Sequence, residues 1–375
     1  MLADRGDTRP FEKLLPINKT HKRLAIGSGV TVGVKEDGTV WSWGQGMHGE
    51  MGDGQEFSRR YVPTMIPGMT GFVEVAGEGE HFLALRSNGE VWSWGSNSDG
   101  QLGYLTDKKI SSAPQRITSL KNIVSIAASS GHSIALDDNG KIFTFGSNDG
   151  MQLGVSPADN KPHPFPEQRI TVSDAVKVFA SGATSVVLTT SGEVYLCGGY
   201  SDGDRRKYVL PTKINFNIPI SDVAVGQNIV ALGRDGHVWV LGDNNRGMLG
   251  QGDYLEHVGP VQVKNIGRIV DVAAEIGSGI ALDEEGEVWQ WGSNVRIPPI
   301  AGVQENSESL PILIGKYLQA KNIESGFGNA VLLEDGQVYF WGWNMGGKRG
   351  TGNQSKDQIK SKDWMVPEKS MWTWK

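Results

Sequence analysis

The feature that most constrains this 375-residue sequence is a seven-residue phrase that occurs seven times. It reads Gly-x-Val/Ile-aromatic-x-apolar-Gly, and its first glycines are residues 38, 89, 140, 192, 236, 286 and 336. Successive glycines lie 51, 51, 52, 44, 50 and 50 residues apart. A fixed period of this size indicates an array of like units, each burying its apolar face against the next. We therefore expect one folded domain, residues 22–375, preceded by an N-terminal arm, residues 1–21.

Each phrase follows a turn and contains a strand. In the second repeat, residues 72–76 and 82–85 are predicted strands, and Asn88-Gly89 then turns the chain into a third strand at 91–94. Asp-Gly and Asn-Gly tolerate the positive φ angles of two-residue hairpin turns. The repeats therefore predict seven β-hairpins.

The strand after each hairpin carries apolar residues at alternate positions. Side chains two apart share one face of a strand, so Trp92 and Trp94 project together, as do Trp289 and Trp291. Such rows of rings are typical of sheets that pack face to face, and we interpret these tryptophans as core.

A fourth strand completes each unit. After the aromatic strand comes a loop of the form Gly-x-Asn-x-x-Gly-x-Leu-Gly, seen at Gly95–Gly103 and Gly242–Gly250. A proline then opens an outer strand, as edge strands permit, at Pro63, Pro114, Pro166, Pro211, Pro260 and Pro311. Seven four-stranded antiparallel units predict an all-β fold, a seven-bladed β-propeller.

A ring of this kind must be closed. Val366-Pro367 echoes Val62-Pro63, so we expect residues 364–372 to supply the outer strand of the blade that contains residues 24–44. Residues 8–15 are the rival for that position.

Several motifs resemble a known family. Gly131–Leu136 reads Gly-His-Ser-Ile-Ala-Leu, Gly89–Gly95 reads Gly-Glu-Val-Trp-Ser-Trp-Gly, and Gly100–Gly103 reads Gly-Gln-Leu-Gly. The pattern resembles the repeat of the regulator of chromosome condensation family, from about residue 24 to residue 350. The resemblance implies the propeller fold.

Composition excludes several functional classes. The formal charge of −6 and pI near 5.7 arise from mixed signs along the chain, so no basic stripe predicts a nucleic acid partner. No apolar run reaches the roughly 18 residues of a membrane-spanning helix, and residues 1–22 lack the apolar block of a signal peptide. We expect a monomeric, cytoplasmic protein without a membrane partner. The single cysteine, Cys197, occupies a position where other repeats carry Trp, Phe or Leu, which favours a buried hydrophobe over a nucleophile.

The sequence contains no convincing catalytic, cofactor or metal motif. Gly44–Gly49 matches a dinucleotide fingerprint, but no helix pattern follows it. His81 and His132 occupy equivalent positions in two of seven repeats, which is too few for a metal ring and favours hydrogen bonding to a loop. We predict no catalytic residues, no cofactor and no metal.

Topology indicates where a partner would bind. Because strands alternate in direction, the loops near residue 80 and those after each aromatic strand emerge on one face, opposite the hairpin turns. The predicted contact residues on that loop face are Glu78, Glu80, His81, Asn97, Asp99, His132, Asp149, Tyr200, Asp243, Arg246, Phe327 and Trp343. Trp343 has no aromatic counterpart in other repeats, so it is either a contact residue or packed against the C-terminal segment. The basic run Asp204–Tyr208 is interpreted as a solvated loop.

The leading hypothesis is a non-enzymatic module that binds a partner protein through the loop face. The first alternative is a guanine-nucleotide exchange factor for a small GTPase, which the family resemblance implies. Against it, no repeat holds an insertion long enough for an exchange wedge, and the basic nuclear tail is missing. The second alternative is a protein inhibitor of an enzyme, of the secreted type found among similar propellers. A photoreceptor role is rejected because the Gly-Trp-Arg-His-Thr repeats of the similar plant receptor are absent.

Overall fold

The chain folds into a ring of seven sheets. The computed structural model describes residues 16–17, 20–203, 205–293, 307–317, 319–342, 344–352 and 367–375. Within those residues, each of the seven sheets has four antiparallel strands, and the only helical element is one 3-10 turn, Met345–Gly347. The predicted all-β, seven-bladed propeller is confirmed.

The blades are numbered in chain order, and within each blade the first strand lies nearest the central channel. The first three blades are β1 (Leu24–Ile26), β2 (Val30–Val34), β3 (Val40–Gly46) and β4 (Ser58–Met65); β5 (Phe72–Ala76), β6 (His81–Arg86), β7 (Val91–Ser96) and β8 (Ile110–Arg116); and β9 (Ile123–Ala128), β10 (His132–Asp137), β11 (Ile142–Asn148) and β12 (Asp159–Ile170). The fourth and fifth are β13 (Ala175–Ser181), β14 (Thr184–Thr189), β15 (Val194–Asp202) and β16 (Arg205–Ile214); and β17 (Ile220–Val225), β18 (Ile229–Gly233), β19 (Val238–Leu241) and β20 (Val261–Gln262). The last two are β21 (Ile269–Glu275), β22 (Ser278–Asp283), β23 (Glu287–Ser293) and β24 (Ser307–Lys316); and β25 (Ala320–Ser325), β26 (Asn329–Leu333), β27 (Val338–Trp341) and β28 (Glu368–Lys369).

The seven predicted hairpins are present, but their turns are longer than two residues. In the first blade Gly38 N–H donates to the carbonyl of Lys35, and only Gly38 has a positive φ, of 81°. Asp37 instead accepts the Thr39 N–H on its carboxylate at 2.9 Å. This is a type I turn followed by a left-handed glycine, a common three-residue hairpin loop. Asp37 therefore contributes a side-chain acceptor to this turn and does not adopt a positive φ.

The core lies between the blades. Seven hydrophobic clusters occupy the seven blade interfaces, including the one between the last blade and the first. The second apolar position of each repeat phrase is buried, as in Trp43, Trp94 and Trp291, whereas the aromatic position two residues earlier, as in Trp92, is half-buried. The prediction that the tryptophans form the core is confirmed for Trp94 and Trp291, whereas Trp92 and Trp289 are half-buried and pack against the same clusters.

The buried indoles also bond to the preceding blade. Trp94 Nε1–H donates to the carbonyl of Glu50 at 2.8 Å, and Trp291 Nε1–H donates to that of Met248 at 3.0 Å. Cys197 takes the same position in the fourth blade, with its Sγ 3.6 Å from the carbonyl of Gln152. Burial raises the pKa of this thiol to about 12, in agreement with a structural role.

Ring closure differs from the prediction. Glu368 and Lys369 do form an outer strand, but they pair with Phe340 and Tyr339 of the last blade. The first blade is already complete, because the chain returns from β3 along its own outer edge as β4. Residues 364–366 and the rival segment 8–15 lie outside the described residues.

Side-chain packing closes the ring instead. Trp372 and Trp374 lie in the cluster between the last and first blades, where Trp372 meets Trp43 with ring centroids 5.5 Å apart. The backbone N–H of Glu36 also donates to the carbonyl of Trp374 at 2.7 Å. The C-terminal segment thus contacts both blades at the closure.

Candidate protein-interaction surface

Two sets of loops define one face of the ring. His81, at the start of β6, pairs with Gly95, near the end of β7, so the loops that precede β6 and follow β7 emerge together. The seven hairpin turns emerge on the opposite side. We call these two sides the loop face and the hairpin face.

Glu78 lies at the loop-face mouth of the central channel. Its carboxylate accepts a hydrogen bond from Ser181 Oγ at 2.7 Å and one from Gly182 N–H at 3.3 Å. Burial raises the pKa of Glu78 to about 7. This side chain therefore links the second blade to the fourth across the mouth.

Glu80 is half-exposed at the loop face, beside a histidine. Its carboxylate is 3.2 Å from His48 Nδ1, and about half of the side chain is exposed. Glu50 fixes the backbone of His48, because its Oε2 accepts the His48 backbone N–H at 2.5 Å. Burial raises the pKa of Glu50. Two acids and a histidine thus meet at the junction of the first two blades.

The structure removes His81 and His132 from the predicted contact surface, because both are fully buried. His81 Nε2 lies 2.8 Å from Ser133 Oγ, and His132 Nε2 lies 2.8 Å from Ser185 Oγ. Each serine hydroxyl donates to a loop carbonyl of the preceding blade, so each imidazole donates its Nε2–H to the serine. Burial lowers the histidine pKa values to about 3 and about 4. Both imidazole rings are therefore neutral near pH 7, and each hydrogen-bonds its own blade to the next one.

Asn97 is also structural and not a contact residue. It is buried, and its side-chain oxygen accepts the Leu102 N–H at 3.1 Å. Asn244 accepts the Leu249 N–H in the same way at 3.0 Å. The repeated asparagine therefore shapes the loop that follows the aromatic strand.

The other predicted residues remain at the loop face. Asp149 is exposed and accepts from Gln152 Nε2 at 2.7 Å, and burial together with the charge of Asp149 raises the pKa of Asp99. Arg246 is exposed beside Asp243, whose carboxylate accepts the Asn245 N–H at 2.8 Å.

Two aromatic residues of the predicted set are half-buried. Phe327 lies 5.5 Å from the Lys348 ammonium, whose pKa burial lowers to about 7. Tyr200 packs against the core between the fourth and fifth blades. Trp343 lies outside the described residues, so its two interpretations stay open.

Sequence reasoning missed the exposed apolar side chains of this face. Met47 and Phe57 are 60% and 61% exposed, and Leu105, in the corresponding loop of the second blade, is 73% exposed. Met47 follows and Phe57 precedes the paired residues Gly46 and Ser58, so the two residues lie at the same end of the β3–β4 pair. Their signal in the sequence was an apolar residue within a loop that is otherwise polar and glycine-rich.

It also missed a charged layer at the hairpin-face end of the channel. A cavity of about 350 Å³ is lined there by ionisable side chains, among them Lys22, Lys177, Asp222, Asp271 and Glu324. Lys177 pairs with Asp222 at 3.3 Å and Lys22 with Glu324 at 3.7 Å. Burial and the neighbouring Asp222 raise the pKa of Asp271 to about 8. The first pair joins the fourth blade to the fifth, and the second joins the N-terminal end of the ring to the last blade.

One cluster has ligand atoms close enough to hold a metal ion. Asp283, Glu285 and Glu287 lie together at the hairpin of the sixth blade. Lys316 pairs with Glu287 at 3.2 Å, and Asp283 accepts the backbone N–H groups of both glutamates. The carboxylates are thus engaged by groups of the protein itself.

No helix among the described residues is long and apolar enough to cross a membrane.

The fold and its faces define a propeller-type repeat protein. Comparison with known families then assigns it: residues 3–328 match the RCC1-like domain, and the chain belongs to that family. The predicted resemblance is confirmed.

Relatives of known name span most of the chain. It is 28% identical to the ultraviolet-B receptor UVR8 of Arabidopsis thaliana, over 87% of this chain and 79% of that protein. It is 25% identical to the regulator of chromosome condensation of Mus musculus, over 84% and 83%. It is also 29% identical to the human E3 ubiquitin-protein ligase HERC2, but covers only 7% of that protein.

Solved structures agree on the fold. Human WBSCR16 superposes with a TM-score of 0.77 at 20% identity, covering 89% of this chain and 94% of that one. Prp20p of Saccharomyces cerevisiae, studied for its binding to Gsp1p and histones, superposes with a TM-score of 0.73 at 22% identity, covering 95% and 87%.

Proposed function

We propose that the chain is a non-enzymatic interaction module that binds a partner protein through its loop face. The observation that carries the proposal is the exposed pair Met47 and Phe57. Large apolar side chains that contribute little to the core are typical of binding hot spots. Glu80 and His48 beside them supply the polar rim of such a surface.

A pull-down with matched variants tests the proposal. The Met47→Ser, Phe57→Ser double variant should lose partners that the intact chain captures. The control is Val62→Ser, Met65→Ser, which removes exposed apolar side chains from the outer strand of the same blade. Partners that bind both variants as well as the intact chain would contradict the proposal.

The first alternative is guanine-nucleotide exchange on a small GTPase. Its support is the likeness to Prp20p, which was studied for binding to Gsp1p, and to the regulator of chromosome condensation. Release of a fluorescent guanine nucleotide from purified small GTPases would establish it. The second alternative, inhibition of an enzyme, requires that a captured enzyme lose activity when the chain is added.

A further inference from the structure

The fourth blade departs from the repeat on the loop face. Its third and fourth strands continue pairing for four residues beyond Gly198, from Gly199↔Tyr208 to Asp202↔Arg205. In the first and third blades the pairing ends two residues beyond the equivalent glycine. The prediction that the basic run Asp204–Tyr208 is a solvated loop is therefore wrong for residues 205–208, because these residues form the start of β16. We call residues 199–203 and 205–208 the blade-4 finger.

The finger is held against the fifth blade. Asp202 is buried and accepts the Gly259 N–H at 2.7 Å, while Lys207 donates to the same carboxylate. Gly203 lies against Val258. Tyr200 packs into the core between the two blades. A projection tied at both base and tip is rigid before any partner arrives, which lowers the entropic cost of binding.

The outward charge of the finger is positive. Arg205, Arg206 and Lys207 are exposed, and the Arg206 guanidinium lies 5.7 Å from the ring of Tyr208. Among the described residues of the finger the one acid is Asp202, and it is buried.

An apolar patch adjoins this basic edge. Leu255 and Val258 are 69% and 83% exposed, and Tyr254 is exposed beside them. Their loop is fixed from below, because Asp253 accepts from Asn244 Nδ2 at 3.0 Å and from the Leu255 N–H at 3.1 Å. Asp253 is thus held toward the blade. Glu256 is exposed, but its carboxylate accepts the backbone N–H of Asn244 at 3.3 Å, and the apolar side chains beside it face solvent.

We propose that the blade-4 finger and residues 254–258 bind an acidic segment of a protein partner that carries apolar side chains between its acids. Guanidinium groups pair with carboxylates in two parallel hydrogen bonds, and the patch beside them takes the apolar side chains. A nucleic acid would use the arginines but leave the patch exposed, and it would meet a chain of net charge −6. This inference rests on the proposed function and names the partner chemistry of one part of the loop face.

A synthetic probe tests the inference. The probe is a short fluorescein-labelled peptide in which Glu and Asp alternate with Leu and Phe, and binding is followed by fluorescence anisotropy. The Arg205→Glu, Arg206→Glu pair and the Leu255→Ser, Val258→Ser pair should each weaken binding roughly tenfold or more. The control is Lys121→Glu, Lys141→Glu, which makes the same charge change at exposed positions near the hairpin face and should bind as the intact chain does.

Three further comparisons make the outcome decisive. A peptide with Lys in place of its acids should not bind, and added salt should weaken the intact chain more than the arginine variant. Equal binding by all variants, or tighter binding of a single-stranded oligonucleotide than of the peptide, would overturn the inference. Circular dichroism and urea unfolding confirm that each variant is folded.

Failure here can be told apart from failure of the proposed function. Partner capture that depends on Met47 and Phe57, together with peptide binding that is unchanged in the blade-4 finger variants, would support binding through the loop face. Only the acidic-segment inference would then be wrong. If the Met47, Phe57 variant captures partners normally and the Arg205, Arg206 and Leu255, Val258 variants bind the peptide normally, both the proposed function and the acidic-segment inference are wrong.

Discussion

The Trp43 indole donates its N–H to the carbonyl oxygen of Lys348 at 2.7 Å and ties the first blade to the last. The Thr31 hydroxyl donates to the same oxygen at 2.9 Å. Elsewhere in the ring this bond joins consecutive blades, as between Trp94 and Glu50. Residues 43 and 348 are neighbours only because the ring closes, so this contact reports directly on closure.

Trp43→Ala should destabilise the protein by about 3–5 kcal/mol, because it removes a fully buried indole from the closing interface. Trp41→Ala is the matched control and should cost less, since Trp41 is half-buried. Urea unfolding followed by circular dichroism measures both. Equal costs for the two variants would mean that the closing cluster does not limit stability.

Arg349 occupies the position that holds leucine in Leu102 and Leu249, and it is buried. Its guanidinium lies 3.5 Å from the Glu368 carboxylate on the outer strand of the last blade. Glu368→Gln should destabilise by about 1–3 kcal/mol, because a buried cation loses its counter-charge. The double variant Arg349→Leu, Glu368→Gln should recover most of that loss, since leucine fills this position in the second, third and fifth blades. A double variant no more stable than Glu368→Gln would show that the ion pair does not set the cost.

Asp271 should make stability fall as pH rises. Its folded-state pKa of about 8 lies above its ordinary value of 3.8, so its contribution is fully present below pH 4 and is lost as pH rises through 8. Asp271→Asn cannot ionise and should remove this part of the slope. Unfolding free energies of both proteins between pH 5 and pH 9 test the prediction, and parallel curves would contradict it.

His81 and His132 should act in the opposite direction. Their folded-state pKa values, about 3 and about 4, lie below the ordinary 6.5, so their contribution is present above pH 6.5 and is lost as pH falls toward 4. The His81→Gln, His132→Gln variant should lose less stability than the intact chain over that window. Acid titration of the unfolding free energy, with the half-buried His237→Gln variant as a comparison, measures the difference. An unchanged acid slope would show that these rings are not the groups that titrate.

Local patterns predicted the blades well. The common face of Trp92 and Trp94 follows from alternation along one strand, and the turn at Asn88-Gly89 follows from two residues. The candidate site was predicted less well. Glu80 and Asp149 are available at the loop face, whereas Asn97 turned inward to cap its own loop.

Sequence alone determined the number of blades, their strand order and the face on which the loops emerge, because each depends on contacts within one repeat of about 50 residues. Tertiary structure decided what depends on contacts between repeats. It seated Glu368 in the last blade and not the first, buried His81 against Ser133, and drew the basic run after Asp204 into a finger tied to Gly259. Those outcomes rest on hydrogen bonds and packing between residues 28 to 57 positions apart in the sequence, which no local pattern encodes.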